Sequence, residues 1–557
     1  MDKKTAMSAI NRPTILKAVK EEVFDLIVIG GGVTGCGIAL DAASRGLKTV
    51  VLEKEDFASG TSSKSTKLIH GGLRYLKQLD FALVRETGTE RAIVHRLAPH
   101  LVLPEKMLMP LVKGGTYGYW GTSIGLTVYD ILAGVSGDDR RKMVSKKKAL
   151  AIEPLLDEKN LKGGGFYAEY RTDDARLTIE LMKTAVRHGA TALNYCQVEE
   201  LLYKDNKVVG VKCTNLLDGS ALQVRAKTVV SAGGPWVDII RKKDKSLKGK
   251  RLFLSKGVHL VVPHEKFPLQ HTIYFDVPDG RMVFAIPRGK VTYIGTTDTE
   301  YTGDKDRIVA TKEDAAYLLK AVKSAFPSVQ LSLADVESNW AGLRPLIHED
   351  GKSPSELSRK DEIFTSPTGL ISIAGGKLTG YRKMAQRIVD LVYKQQGKSV
   401  PACKTKNITL TPNPLKNALA VEQYIGDIQN RVEAIGLEAY YGWYLVTTYG
   451  QQTELLLDKM KSFKNSTPEI ALARAEAWFG VQYEMVHSLE DFFVRRTGRL
   501  YFNINSIPVV RDAVTLDLID YLSWEEAYVQ KEQKRLDELL FDATNYYEKE
   551  LEVKYEV

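Results

Sequence analysis

Cysteine is scarce. The 557 residues hold four, Cys36, Cys196, Cys213 and Cys403, and no C-x-x-C pair. That spacing excludes a disulfide framework and a cysteine zinc cluster, and it fits a reducing compartment. Proline, at 19 against 44 glycines, is too rare for a Pro-rich disordered chain. No segment supplies about 20 clearly apolar residues. The nearest approach, Gly114 to Ile131, is glycine-rich and ends around Asp130. The opening MDKKTAMSAINRPTILKAVKEE lacks the apolar run of a signal peptide, so residues 1–23 read as a surface arm. No cysteine–histidine constellation suggests hydrolysis, and no His, Cys and Asp spacing resembles a metal site. Charge excess is modest: 78 basic against 69 acidic side chains, or +9. The run Arg241 to Arg251 holds seven positive and one negative. Without interleaved aromatics it reads as a solvated loop, not a nucleic-acid face.

What is present begins at Phe24. FDLIVIG is a continuous apolar run suited to a central parallel strand, and it leads directly into GGGVTGCGIALDAASRG. Gly30, Gly32 and Gly35 occupy the G-x-G-x-x-G positions: a tight turn, backbone approach to a pyrophosphate, and close packing of helix on strand. A helix is expected from about Thr34 to Ser44, then a strand KTVVLEK. Glu53 ends that strand eighteen residues after Gly35, where a carboxylate accepts both ribose hydroxyls and repels a 2′-phosphate. FAD and NAD share that end of the molecule. Two later apolar strands also run into paired glycines, at Gly233 and Gly234 and at Gly375 and Gly376. The second precedes a helix expected over Leu378 to Val392, whose N-terminus favours anions. Together these segments imply a cofactor enclosed from several sides.

GTSSKSTKLIHGGLRYL, GGGVTGCGIALDAASRG, WAGLRPL and GGKLTGYRK together resemble the FAD-dependent glycerol-3-phosphate dehydrogenase family, aerobic and quinone-linked. The resemblance runs from about Phe24 to Lys383 and more loosely beyond. It implies an α/β protein with an α+β substrate domain, that is, a glutathione-reductase-like FAD-binding fold plus a mostly helical C-terminal domain. The implied cofactor is FAD, and the implied reaction converts glycerol 3-phosphate to dihydroxyacetone phosphate with electrons passed to a membrane quinone. It also implies a cytoplasmic protein, with peripheral contact at the inner face of the membrane and homo-oligomerisation both left open. Thr61, Ser62, Ser63 and Lys67 then surround phosphate and flavin polar edges, and His70, Gly71 and Gly72 bring backbone to the isoalloxazine. Gly375, Gly376, Leu378 and Thr379 close the far side, with Gly233.

The division of the chain follows: a discontinuous FAD-binding domain from 24–103, 173–234 and 361–395, a substrate domain from 104–163 and 258–339, and a helical domain over 410–553. TDDARLTIELMKTAVRHG reads as a helix with an acidic start, and Thr311 with Asp314 as a capping pair. Arg495, Arg496 and Arg499 read as a salt-bridged solvent face. A phosphomonoester needs several cationic donors. By family motif these are Arg344, Lys377, Arg359, and Arg74 with Tyr75; Arg344 and Lys377 suit the reacting oxygen, and the others the phosphate. His259 is the preferred general base, with a core or cofactor-orienting role, a lysine or a water as alternatives. Asp298 reads equally as a pocket or a turn residue. The competing functions are an oxidase passing electrons to oxygen, a D-amino-acid oxidase, and a flavin-containing RNA-binding protein.

Overall fold

The computed structural model describes residues 7–69, 81–115, 140–348 and 360–552, with scattered positions between 118 and 128. The strand Val23–Ile29 lies at the centre of the first sheet, parallel to Thr49–Leu52 on one side and Ala221–Ser231 on the other. Ile371–Gly375 and Thr191–Leu193 extend the parallel array outward. Both faces of Val23–Ile29 are covered, which is why Leu26, Ile27 and Val28 run consecutively and are fully buried. Helix Val33–Ser44 packs between Asp174–Arg187 and Tyr381–Gln395. Thus the three distant glycine-ended strands lie side by side, and their C-terminal ends converge at one end of the sheet. The expected helix after Gly376 opens with a tight turn, Leu378–Gly380, before Tyr381–Gln395.

The second sheet is mixed. Leu252–Pro263 pairs antiparallel with Val291–Gly295 and with Ser338–Ile347. Leu103–Val112 and Leu161–Arg171 continue it, so with Ser338–Ile347 it draws in 164–171 and 340–347, beyond the bounds expected from sequence. The capping pair is a full box: the Thr311 side chain accepts from the Asp314 N–H, and the Asp314 carboxylate accepts from the Thr311 N–H. The helices from Ala418–Ala434 to Glu526–Thr544 form the C-terminal part. Phe492, Phe502 and Val510 share a core with Tyr293 and Trp340 of the second sheet. Beyond the last helix the chain returns to that sheet's edge, where Asp304 N–H donates to Leu551 O at 3.1 Å.

Three expectations need correction. The N-terminal arm is a docked helix, Arg12–Glu21: Ile15 and Val19, one turn apart, are buried, and Arg12 donates to Asn194 Oδ1 at 3.0 Å and Asn215 Oδ1 at 2.8 Å. The basic run is not a solvated loop throughout. Arg241 ends a helix, is buried, pairs with Asp238 at 2.8 Å and lies over the Phe364 ring. Arg495, Arg496 and Arg499 do form salt bridges, but inside the protein. Arg495 and Arg496 each meet Asp56 at 2.7 Å, and Arg499 meets Glu476 at 3.1 Å. Nearby, Glu484 receives Arg176 at 2.7 Å and Lys183 at 2.9 Å. The reason is topological: Arg495 also pairs with Glu490 and Asp491 close in the chain, but Asp56, shared by Arg495 and Arg496, comes from a distant element, so the local pattern alone looks like a salt-bridged surface.

This lattice ties the helical part to the nucleotide domain, and its partners are interdependent, because a buried charge stranded without its counter-ion costs about 3–5 kcal/mol. Burial alone would raise Glu490, but Arg495 and Arg535 outweigh it and pull it from 4.5 to about 2. Burial lowers His100 from 6.5 to about 4 and His487 to about 3. For all three the folded value lies below the unfolded one, so the unfolded chain takes up protons first as pH falls. Their stabilisation is complete above 6.5 and is lost as pH drops toward 2. Glu532, which burial raises to about 7, acts in the opposite sense between 4.5 and 7. Denaturant unfolding should therefore show a steep acid limb below about pH 4. Asp56→Ala should cost about 3–5 kcal/mol at pH 7; an unchanged midpoint would refute the interdependence.

Candidate active site

One cleft of about 1250 Å³ runs between the two sheets. Its nucleotide end is made by local backbone chemistry. Gly30 has φ +108°, and a Cβ there would meet Ala232 O at 2.6 Å; a Cβ on Gly35 would lie 1.9 Å from Gly30 O. Gly35 therefore does not line the cleft but lets the helix press onto the strand. At the helix start, Val33 N–H donates to Ser62 Oγ at 3.0 Å, which pins the hydroxyl-rich turn onto Gly32. Thr61 Oγ1 donates to Leu343 O at 2.7 Å and joins the same turn to the second sheet. Glu53 accepts from Gly31 N–H at 2.5 Å and Glu55 N–H at 3.0 Å. Burial raises its carboxyl from 4.5 to about 7 against those hydrogen bonds.

Of the expected cofactor residues, Gly30, Gly32, Glu53, Thr61, Ser62, Gly233, Gly375, Gly376, Leu378 and Thr379 line this cleft. Ser63 and Lys67 do not. Lys67 turns inward: its ammonium donates to Asp174 Oδ1 at 2.5 Å and Ser63 O at 3.0 Å, near the rings of Trp340, Tyr501 and Phe502. A positive charge in a hydroxyl-rich turn suggests an anion contact. Here the anion is Asp174, the acid at the helix start, which also accepts from Ser65 N–H at 2.9 Å and Ser65 Oγ at 2.6 Å. His70, Gly71, Gly72, Arg74, Tyr75 and Arg359 lie outside the described residues.

His259, Arg344 and Lys377 also line this cleft. His259 lies mid-strand, directly opposite Trp340 on one neighbour and Gly295 on the other. Its ring stacks on Trp340 at 4.5 Å and 11°, and a Cβ on Gly295 would lie 2.1 Å from it, so that glycine makes the room. Nε2 is 3.0 Å from Thr66 Oγ1, while Nδ1 is buried with no hydrogen-bond partner. Burial first, then Arg344 and Lys67, hold the imidazole well below 6.5, so it is neutral at physiological pH. Arg344 donates to Thr296 Oγ1 at 2.8 Å and Thr297 O at 3.2 Å.

Sequence reasoning missed Asp174, Gly257 and Gly295. The two glycines had a signal, since glycine inside a β-branched strand marks a close approach. It also missed the cleft's outer bridge, where Asp306 accepts from Lys54 at 2.8 Å and from Trp236 Nε1 at 2.9 Å. The cradle fits FAD: glycine turns with no room for a side chain, a helix N-terminus, a carboxylate at the ribose position and a long, largely enclosed groove.

Comparison with known proteins agrees. Residues 25–381 match the family described as FAD dependent oxidoreductase, and residues 375–529 match the C-terminal domain of alpha-glycerophosphate oxidase. The chain is 49% identical over 543 residues to the aerobic glycerol-3-phosphate dehydrogenase of Bacillus subtilis, covering 96% of this chain and 98% of that one. It is 47% identical to the Staphylococcus haemolyticus protein of the same name, covering 97% and 98%. The crystal structure of the Bacillus halodurans glycerol-3-phosphate dehydrogenase complexed with FAD aligns with TM-score 0.82 at 44% identity, covering 97% of this chain and 99% of that chain.

Gly35→Ala should separate helix from strand at the phosphate turn, because its methyl group would overlap Gly30 O. Purified variant protein should retain roughly a tenth or less of the flavin that the parent keeps, measured by absorbance after desalting. Full retention would refute the packing role.

Proposed function

Because the chain belongs to the family of FAD-dependent oxidoreductases, we propose that it oxidises sn-glycerol 3-phosphate to dihydroxyacetone phosphate and delivers the electrons to a quinone. The observation that supports this reading is one cleft lined both by the dinucleotide turn and by Arg344, Lys377 and a neutral, buried imidazole. FAD, bound along Gly30, Gly32, Glu53 and Gly375, supplies the hydride acceptor for the carbon-bound hydrogen.

The chain's own residues do the rest. Arg344 and Lys377 orient the secondary hydroxyl and stabilise charge on its oxygen as the carbonyl forms. Arg359, Arg74 and Tyr75 hold the phosphate, whose two charges need several donors. His259 takes the hydroxyl proton. It is neutral before substrate arrives, so it has an acceptor nitrogen, and a nearby phosphate dianion favours its protonated form. Thr66, hydrogen-bonded to Nε2 and itself lining the cleft, relays the proton.

Among the described residues no helix is long and apolar enough to cross a membrane. Delivery to a quinone then requires peripheral contact at the inner face, which exposed lysines favour on anionic lipid; a homo-oligomer is compatible with this. Sedimentation with anionic liposomes at low salt checks the attachment, and absence of binding would remove it. The competing oxidase reading predicts hydrogen peroxide stoichiometric with substrate in the absence of quinone.

Arg344→Lys keeps the charge but removes the planar fork. Loss of a charged hydrogen bond worth roughly 1.5–3 kcal/mol should slow anaerobic flavin reduction by glycerol 3-phosphate about ten- to a hundredfold, with the flavin spectrum unchanged. Stopped-flow comparison with unphosphorylated glycerol and a D-amino acid tests substrate class in the same series. Faster bleaching by the D-amino acid would overturn the reading.

A further inference from the structure

Asp298 sits on the segment after Val291–Gly295, and its side chain reaches across the sheet instead of back to its own turn. Its Oδ1 accepts from Ser255 Oγ, 43 residues away, and from Arg344 Nη1 at 3.4 Å. An Asx turn would place that oxygen on a backbone N–H two residues on. Ser255 stands directly opposite Arg344 in the pairing of Leu252–Pro263 with Ser338–Ile347, and its hydroxyl is 3.4 Å from the same Nη1. The next residue on that face, Gly257, has no side chain where the guanidinium lies: a Cβ would be 2.3 Å from Nη2. Arg344 is thus laid flat over Gly257 toward His259, with its fork aimed by Ser255, Thr296 and Asp298.

The pair is a poor source of stability. Arg344 and Asp298 are 25% and 27% exposed, and half-open pairs contribute little to folding. Its geometry has a different use, because a guanidinium held in one orientation before the ligand arrives loses less freedom on binding.

We propose that Asp298 is a positioning residue for the oxidation: with Ser255 it holds the Arg344 guanidinium over Gly257, in the orientation that receives the substrate oxygen. This rests on the reading of Arg344 as a substrate contact. Asp298 does not itself touch the substrate and acts through Arg344.

A double-mutant cycle on the flavin-loaded full chain tests it, read as the saturating rate of anaerobic flavin reduction by glycerol 3-phosphate and the substrate concentration at half-saturation. Asp298→Ala should slow the saturating rate roughly tenfold, while Asp298→Asn, which keeps an acceptor oxygen for Ser255 and Arg344, should recover most of it. In the Arg344→Lys background, Asp298→Ala should add less than about twofold. Full additivity would mean that Asp298 acts independently of Arg344 and would overturn the proposal. If Arg344→Lys alone has no effect, the substrate-contact reading fails first, and the positioning role with it. Should Asp298→Ala lose its flavin, Ser255→Ala carries the same cycle: coupling to Arg344 supports the proposal and additivity overturns it.

Discussion

The ion pair between Lys67 and Asp174 is the fastening on which the rest of the site depends. Both side chains are almost completely buried, 2.5 Å apart. Between Gly60 and Ile69 the chain touches every wall of the cleft. Ser62 caps the nucleotide helix, and Thr61 and Thr66 reach the second sheet at Leu343 and His259. Leu68 and Ile69 pair with Leu161–Arg171. A turn so rich in hydroxyls has little apolar surface of its own to bury, so its position is set by hydrogen bonds and this single charge pair. Removing either partner would strand the other in a low-dielectric interior, the costlier half of any buried salt bridge.

The same lysine acts at a distance on the chemistry. With burial and Arg344, it keeps His259 neutral, which leaves an imidazole nitrogen available as a proton acceptor. Under the proposed function, a doubly charged substrate would offset the field that disfavours protonated histidine. Structural and catalytic electrostatics therefore share residues. That sharing explains why Lys67, whose ammonium contacts the protein interior, still matters to the site.

Charge is distributed in the same way at the interface with the C-terminal helices, where Asp56, three residues past Glu53, receives both Arg495 and Arg496. The helical part is therefore fixed to the nucleotide end by ion pairs, and to the second sheet by an aromatic core around Trp340. The two attachments bracket the cleft from behind.

The amino-acid sequence by itself determined the elements whose causes are local. The run from Phe24 to Glu53 carries strand, glycine turn, helix, strand and acid within about thirty residues, so apolar period and glycine spacing were enough to place the dinucleotide end. The helix cap at Thr311 was legible for the same reason. Family motifs brought His259, Arg344 and Lys377 into one pocket, and the structure puts all three on one cleft. Tertiary structure alone decided where the charges go. Lys67 faces Asp174 across 107 residues, and Arg495 faces Asp56 across 439. The carboxylate that makes burial of Lys67 tolerable arrives only when distant segments fold together, and Arg495, although Glu490 and Asp491 lie close in the chain, meets Asp56 only in the same way.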